Sequence, residues 1–110
     1  MHTASEQITE EVTSWPGVEA GIGARGEYGF TVGRRQIGHL HGDHAAHFGF
    51  PRKVWEELMA EGRVVKHPID KPGWAARRIE DEADVRDVIA LLRLNYDRVV
   101  ARYGVPEEAA

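Results

Sequence analysis

The chain of 110 residues contains no cysteine, which excludes disulfide bonds and thiolate metal ligands. It also lacks any apolar run near the ~20 residues that a membrane span requires. Basic residues are in the minority, because 14 Lys and Arg against 18 Asp and Glu give a formal net charge of −4. That balance argues against duplex nucleic acid as a partner, since such binding needs a basic face. The first residues lack the basic and apolar segments of a signal peptide, so we expect a cytoplasmic protein without a membrane partner.

What the chain does have is enough apolar residues, 42%, to build one core. Hydrophobic spacing alternates between helical and extended segments in the order α-β-β-β-β-α-β-β-α. Strands that are segregated from helices in this way predict an α+β fold, with a mostly antiparallel sheet covered by helices. We therefore expect a single domain over residues 1–104, followed by a disordered tail over residues 105–110.

Three segments have helical spacing. The first is predicted to be capped by Ser5, with a stripe of Ile8, Val12 and Trp15. Pro51 opens the second helix at its first position and Gly62 ends it; Val54, Trp55, Leu58 and Met59 form its buried stripe. Asp81 caps the third helix and Gly104 ends it. The stripe of the third helix must cover the sheet and consists of Val85, Val88, Ile89, Leu92, Tyr96, Val99 and Tyr103.

Six short segments have the alternation and the glycine or charged boundaries that are typical of strands. Four of them follow one another before Pro51: "VEAGIGA", "EYGFTVG", "QIGHLH" and "HAAHFGF". Two more, "RVVKH" and "GWAARRI", come between the second and third helices. The tryptophans of this region, Trp55 and Trp74, are expected to be core residues.

Two motifs suggest chemistry that their surroundings do not support. "HLHGDH" at residues 39–44 resembles the dinuclear-metal signature of the metallo-β-lactamase superfamily. That fold needs a far longer chain with further ligands downstream, and His67 is the only histidine after His47. "GIGARG" at 21–26 has the glycine spacing of a dinucleotide-binding loop, but a strand-like segment follows it where a helix is required. We interpret these glycines as a hairpin turn.

Histidines gather where two of the predicted strands meet. His39 and His41 point to the same face of a strand because they are two residues apart. A three-residue loop, Gly42-Asp43-His44, pairs residue 41 with 45 and residue 39 with 47. This register places His47 beside the other two and collects Leu40, Ala46 and Phe48 on the opposite face. A two-residue loop would bring in His44 instead, but it would separate Leu40 from Phe48, so we prefer the first register.

Several segments together resemble the luciferase-domain family, a group of small bacterial proteins that are similar to the domain of fungal luciferase. The resemblance spans roughly residues 15–102, and its most specific parts are "RRQIGHLHG", the Phe-Pro start of the middle helix and "LLRLNY". The bacterial members have no assigned activity. The fungal enzyme implies an oxygenase that acts on a hydroxypyrone without metal or flavin. The chain departs from the family pattern in having Gln36 in place of glutamate and His47 in place of an acidic residue.

The sequence predicts an unidentified small molecule as the partner and no cofactor, with His39 and His41 as candidate catalytic residues. Tyr28, Arg35, Gln36 and His47 are the candidate ligand-binding residues. Whether the chain is an enzyme stays open. One alternative is a protein-interaction module, with a homodimer as one possible form. Another is a metal site of His39, His41 and His47, although the apparent loss of acidic partners leads us to expect no tightly bound zinc.

Overall fold

The computed structural model describes residues 2–106. The elements follow the predicted order: α1 Ala4–Thr13, β1 Val18–Ile22, β2 Tyr28–Val32, β3 Arg35–His41, β4 Ala45–Gly49, α2 Arg52–Ala60, β5 Val65–Lys66, β6 Trp74–Arg78 and α3 Glu82–Tyr103. The α+β fold class is confirmed. Val105 and Pro106 belong to no helix or strand, and residues 107–110 of the predicted tail lie outside the described residues. Within residues 2–106, every helix is too short or too polar to cross a bilayer.

The six strands form one antiparallel sheet in the order β1-β2-β3-β4-β6-β5. The first four strands form a meander. The chain then leaves the sheet through α2 and returns to extend it beyond β4 with β6 and β5. Helices α1 and α3 pack against each other, while α3 crosses β2, β3 and β6 and α1 contacts β1. One face of the sheet is therefore the core face, which we call the helix side. The opposite face is the one that carries the histidines.

The core lies between α3 and the middle of the sheet. Val88 and Leu92 of α3 are fully buried, as are Phe30 and Ile37 of the sheet. The helix comes very close to β3, because a Cβ at Gly38 would lie 2.6 Å from Leu92 Cδ2. Only glycine allows this approach, so the sequence at position 38 sets how closely α3 covers the sheet.

The predicted ends of the helices are confirmed in part. Asp81 caps α3 by accepting a hydrogen bond from Asp84 N at 2.9 Å. Ser5 is not the cap of α1: Thr3 caps it, and Thr3 and Glu6 exchange side-chain to backbone hydrogen bonds. The prediction was wrong because the three-residue spacing of a capping box runs from Thr3 to Glu6. Ser5 N donates to Asp43 Oδ1 instead, at 2.9 Å.

Three further details correct the sequence prediction. Pro51 precedes α2 as its N-cap residue and is not its first helical residue. Trp15 lies beyond the end of α1, yet it is buried, with its ring centroid 5.3 Å from that of Tyr96. Trp74 is not a core residue, because 36% of it is exposed on the histidine-bearing side, whereas Trp55 packs against the core as predicted.

Candidate functional site

The β3–β4 hairpin brings three histidines together. His39 pairs with His47, Leu40 with Ala46, and His41 with Ala45, so the predicted register and its three-residue loop are confirmed. Leu40 is 1% exposed on the helix side, while the histidines emerge on the opposite face. The apolar residues thus fix the register, and the histidines become neighbours as a consequence.

The imidazole rings are close enough to interact directly. Ring centroids are 4.9 Å apart for His39 and His41, 5.3 Å for His39 and His47, and 4.2 Å for His41 and His47. Each of the three offers one ring nitrogen, and these nitrogens all lie within 4.8 Å of one another. A fourth ring, that of His67, lies 4.3 Å from His47. We call these four residues the histidine face.

A β-bulge in β3 brings the polar side chain of Gln36 next to the histidine face. Phe30 pairs with Gly38 and Thr31 pairs with Gln36, so Ile37 is an extra residue in β3. Without the bulge, Gln36 and His39 would point to opposite faces, because they are three positions apart. With it, Gln36 Oε1 lies 2.7 Å from His39 Nδ1.

Asn95 of α3 supports the bulge from the helix side. This fully buried amide donates through Nδ2 to Ile37 O at 3.1 Å and to Gly49 O at 2.9 Å. It thereby binds the carbonyl of the extra residue in β3 and the last residue of β4. Asn95 was not among the predicted site residues, because an asparagine within an apolar helical stripe gives no indication of a partner 58 residues away.

Hydrogen-bond partners decide which ring nitrogens are free. An amide oxygen only accepts, so His39 Nδ1 carries the proton and its Nε2 keeps a lone pair. His67 has the opposite arrangement: its Nδ1 accepts from Ile69 N at 2.9 Å, so in the neutral ring Nε2 carries the proton. The face therefore offers a lone pair at His39 and an N–H donor at His67.

Three of the four clustered imidazoles have a lowered pKa. Burial is the main cause of the lowered pKa of His39, and the charge of a protonated His41 lowers it further. The pKa of His47 is lowered to about 4, first by burial and then by the neighbouring His41, His67 and His39. Burial also lowers the pKa of His67. These three imidazoles are therefore neutral near pH 7 and can accept a proton or donate a lone pair.

Two predicted ligand-binding residues lie away from the histidine face. Tyr28 pairs with Leu40 and so points to the helix side. Arg35 stacks on Tyr103 of α3, with its guanidinium carbon 3.3 Å from the ring centroid. Strand alternation separates Tyr28 from His39, and the bulge separates Arg35 from it. Gln36 and His47 are the predicted ligand-binding residues that the fold places beside His39 and His41.

His67 and Trp74 were not assigned to the site by the sequence analysis. Their rings are 5.1 Å apart in an edge-to-face arrangement, next to His47. His67 follows β5, and Trp74 begins β6, the strand that pairs with β4. Their approach depends on the excursion of the chain through α2, which local patterns do not encode.

A shallow concavity of roughly 300 Å³ lies on the same face and is lined in part by Gly29 and Gln36, the strand partner and the hydrogen-bond partner of His39. Gly21, Gly29 and His39 occupy one row across β1, β2 and β3, so the floor beside His39 is bare backbone. The side chains around this floor are Glu19, Glu27, Thr31 and Gln36. A larger concavity of roughly 630 Å³ lies on the helix side, between α1 and Tyr28. It lies on the opposite face of the sheet from the four clustered imidazoles, so we place the candidate site at the histidine face.

The fold and site thus define a class: a small α+β domain whose one-sided sheet presents neutral imidazoles beside a glycine-floored concavity. The family model described as Luciferase domain matches residues 34–95, which is more than half of the chain. The chain therefore belongs to the Luciferase domain family, as its sequence resemblance indicated. Neither the curated proteins nor the solved structures contain a match. The matched segment includes Gln36, the four clustered histidines and Asn95.

Proposed function

We propose that this chain binds a compact, hydroxylated small molecule at the histidine face and acts on it as an oxygenase-like enzyme. The observation that carries the proposal is the free Nε2 lone pair of His39, whose tautomer is held by Gln36. Gln36 and Gly29, the strand partner of His39, both line the concavity. A small ring can lie on the backbone of Gly21 and Gly29 and present its hydroxyl to that nitrogen. Polar groups that converge on a concave surface are typical of small-molecule sites.

The first chemical step would be proton transfer. A neutral imidazole can take the proton of an acidic hydroxyl, which leaves the ligand as an electron-rich enolate. Enolates of this kind are the form in which an organic substrate reacts directly with oxygen. The resemblance to fungal luciferase implies such chemistry on a hydroxypyrone without metal or flavin. The finer proposal is therefore a cofactor-free, oxygenase-like reaction in which His39 accepts the first proton.

The test is binding of a simple 4-hydroxy-2-pyrone to chelator-treated protein, followed by NMR of the labelled chain and by oxygen uptake. Gly21→Val fills the concavity without a clash, because no atom lies within 4 Å of a Cβ at this position. Gly49→Val is the matched control, since Gly49 has the same free space but does not line the concavity. We expect Gly21→Val and His39→Gln to abolish binding and Gly49→Val to retain it.

Three results would contradict the proposal. Chemical-shift changes around Thr9 and Tyr28, with none at Gly29 or His39, would place the ligand in the helix-side concavity instead. Equal affinity in Gly21→Val and Gly49→Val would show that the glycine floor has no part in binding. Oxygen uptake that persists in His39→Gln would contradict both the role of His39 as the base and its part in binding.

A further inference from the structure

We propose that His39, His41 and His47 form a binding site for one divalent transition-metal ion. The three candidate ligand nitrogens lie within 4.8 Å of one another. Two of the histidines are direct partners across β3 and β4, and the third is two residues along β3. Paired strands are a rigid frame, so the backbone holds all three side chains around one point in space. The inference uses the same residues as the proposed small-molecule site, but it is an alternative use of them. An ion bound at His39 Nε2 would occupy the lone pair that accepts the proton in the proposed function, so the metal-bound chain would not carry out that step.

The donor set selects the class of ion. In residues 2–106 the cluster consists of three imidazoles, without a carboxylate. Imidazole nitrogen suits zinc, copper, nickel and iron, whereas magnesium and calcium prefer oxygen ligands. Three protein ligands leave at least one coordination position open, which is the arrangement of catalytic rather than structural zinc sites. That open position faces the side of the sheet on which the concavity lies.

The side chains need only a small movement to coordinate an ion. A tetrahedral ion with bonds of about 2.0–2.1 Å places its ligand nitrogens roughly 3.4 Å apart. The rings must therefore close by about an ångström or less each, which rotation about the side-chain bonds supplies. His41 is exposed and free to turn, while His39 and His47 are half-buried and set the direction of approach. The paired backbone of the hairpin does not have to move.

Gln36 supplies the outer hydrogen bond that a metal-binding histidine needs. Such histidines usually donate their second ring N–H to an oxygen, which fixes the tautomer and aims the other nitrogen at the metal. Gln36 Oε1 accepts from His39 Nδ1 at 2.7 Å and so leaves Nε2 as the ligand atom. The glutamine thus performs at this position the role that a carboxylate performs in other sites.

His67 lies beside the three proposed ligands but is not itself a ligand. Its ring lies only 4.3 Å from His47, yet its Nδ1 accepts from Ile69 N. In the neutral ring this hydrogen bond places the proton on Nε2, so His67 faces the cluster with a donor and not with a lone pair. We therefore assign three ligands to the ion and leave His67 as a hydrogen-bond donor to whatever occupies the open position.

The experiment titrates chelator-treated protein with Co²⁺, follows the visible absorption of the bound ion, and then displaces it with Zn²⁺. We expect one ion per chain and a thermal midpoint that rises with the concentration of free ion. His39→Gln, His41→Gln and His47→Gln should each weaken binding on the order of 100-fold or more, because each removes one of three ligands. His44→Gln should retain it, and it is the matched histidine control outside the histidine face.

Gln36 variants test the outer hydrogen bond. Gln36→Leu should weaken metal binding by about 10- to 100-fold, whereas Gln36→Glu should bind the ion as tightly as the wild type or more tightly. Several weakly bound ions that no single His→Gln change removes would overturn the proposal, as would equal losses in His44→Gln and His41→Gln. Hydroxypyrone binding is measured separately on chelated protein, so a failure of the metal site and a failure of the proposed function give different results.

Discussion

Protonation of His47 is less favourable in the folded chain than it is for a histidine in water. Its ring is half-buried, and three other imidazoles surround it at distances where a second positive charge is repelled. Both effects favour the neutral ring, which accounts for the lowering of its pKa to about 4. A buried, neutral histidine of this kind makes the stability of the domain depend on pH.

We predict that the metal-free protein loses stability as the pH falls from about 6.5 to about 4. Between these values the unfolded chain, in which the pKa of His47 is near its ordinary value of 6.5, binds the proton more readily than the folded chain does. The measurement is denaturant unfolding at several pH values for wild type and for His47→Gln. The variant should lose less stability on acidification, because it lacks the imidazole whose protonation opposes folding. The carboxylates titrate alike in both proteins, so their contribution cancels in the comparison. Parallel curves for the two proteins would show that protonation of His47 does not oppose folding.

At the residue scale, the sequence predicted the histidine triad but not its surroundings. The triad follows from alternation, because only one register collects Leu40 and Phe48 on a common buried face. His67 depends instead on the return of the chain after α2, which no local pattern specifies. Trp74 was wrongly predicted to be core, since an aromatic side chain on a strand can belong to either face.

At the element scale, a single extra residue in β3 decides which side chains meet. Ile37 and Gly38 both oppose Phe30, and this bulge turns Gln36 toward His39. Sequence alternation alone would not reveal the bulge, because Ile37 and Gly38 are both consistent with a regular buried strand. Asn95 holds it in place by binding the Ile37 carbonyl from the opposite side of the sheet.

We predict that Asn95→Leu destabilises the domain by about 2–4 kcal/mol, because it leaves two backbone carbonyls without their amide donor in a buried place. It should also change the ring ¹⁵N shifts of His39, since the bulge that positions Gln36 loses its support. Gly29→Ala is the comparison. Its Cβ would lie 2.9 Å from Gln36 Nε2, so it displaces the flexible glutamine without touching the core.

Gly29→Ala should therefore alter the His39 tautomer at little cost in stability. A loss of stability in Asn95→Leu with unchanged His39 shifts would mean that Asn95 is a core residue alone and does not position the site. Unchanged shifts in Gly29→Ala as well would mean that Gln36 does not fix the tautomer.

At the scale of the whole molecule, the residues that stabilise the fold and the residues proposed for binding lie on opposite faces of one sheet. The helix side holds the apolar core under α3, and this part of the fold was predictable because the long amphipathic stripe has only one surface to cover. The histidine face contributes little apolar burial, so its residues are free to serve a ligand or an ion. Changes on the two faces should consequently have very different effects on folding.

We predict that Leu92→Ala lowers the free energy of unfolding by roughly 2–5 kcal/mol, whereas His41→Gln on the exposed face changes it by less than about 0.5 kcal/mol in metal-free protein. Leu92 is fully buried, and its Cδ2 reaches the space above Gly38, so its removal leaves a cavity where the helix and sheet are closest. Denaturant unfolding of both variants at pH 7.5 measures the difference. A change under about 0.5 kcal/mol in Leu92→Ala would show that α3 does not bury this side chain against the sheet. Because Asn95 lies on the same helix, the support of the bulge beneath the histidine face would then also be in question.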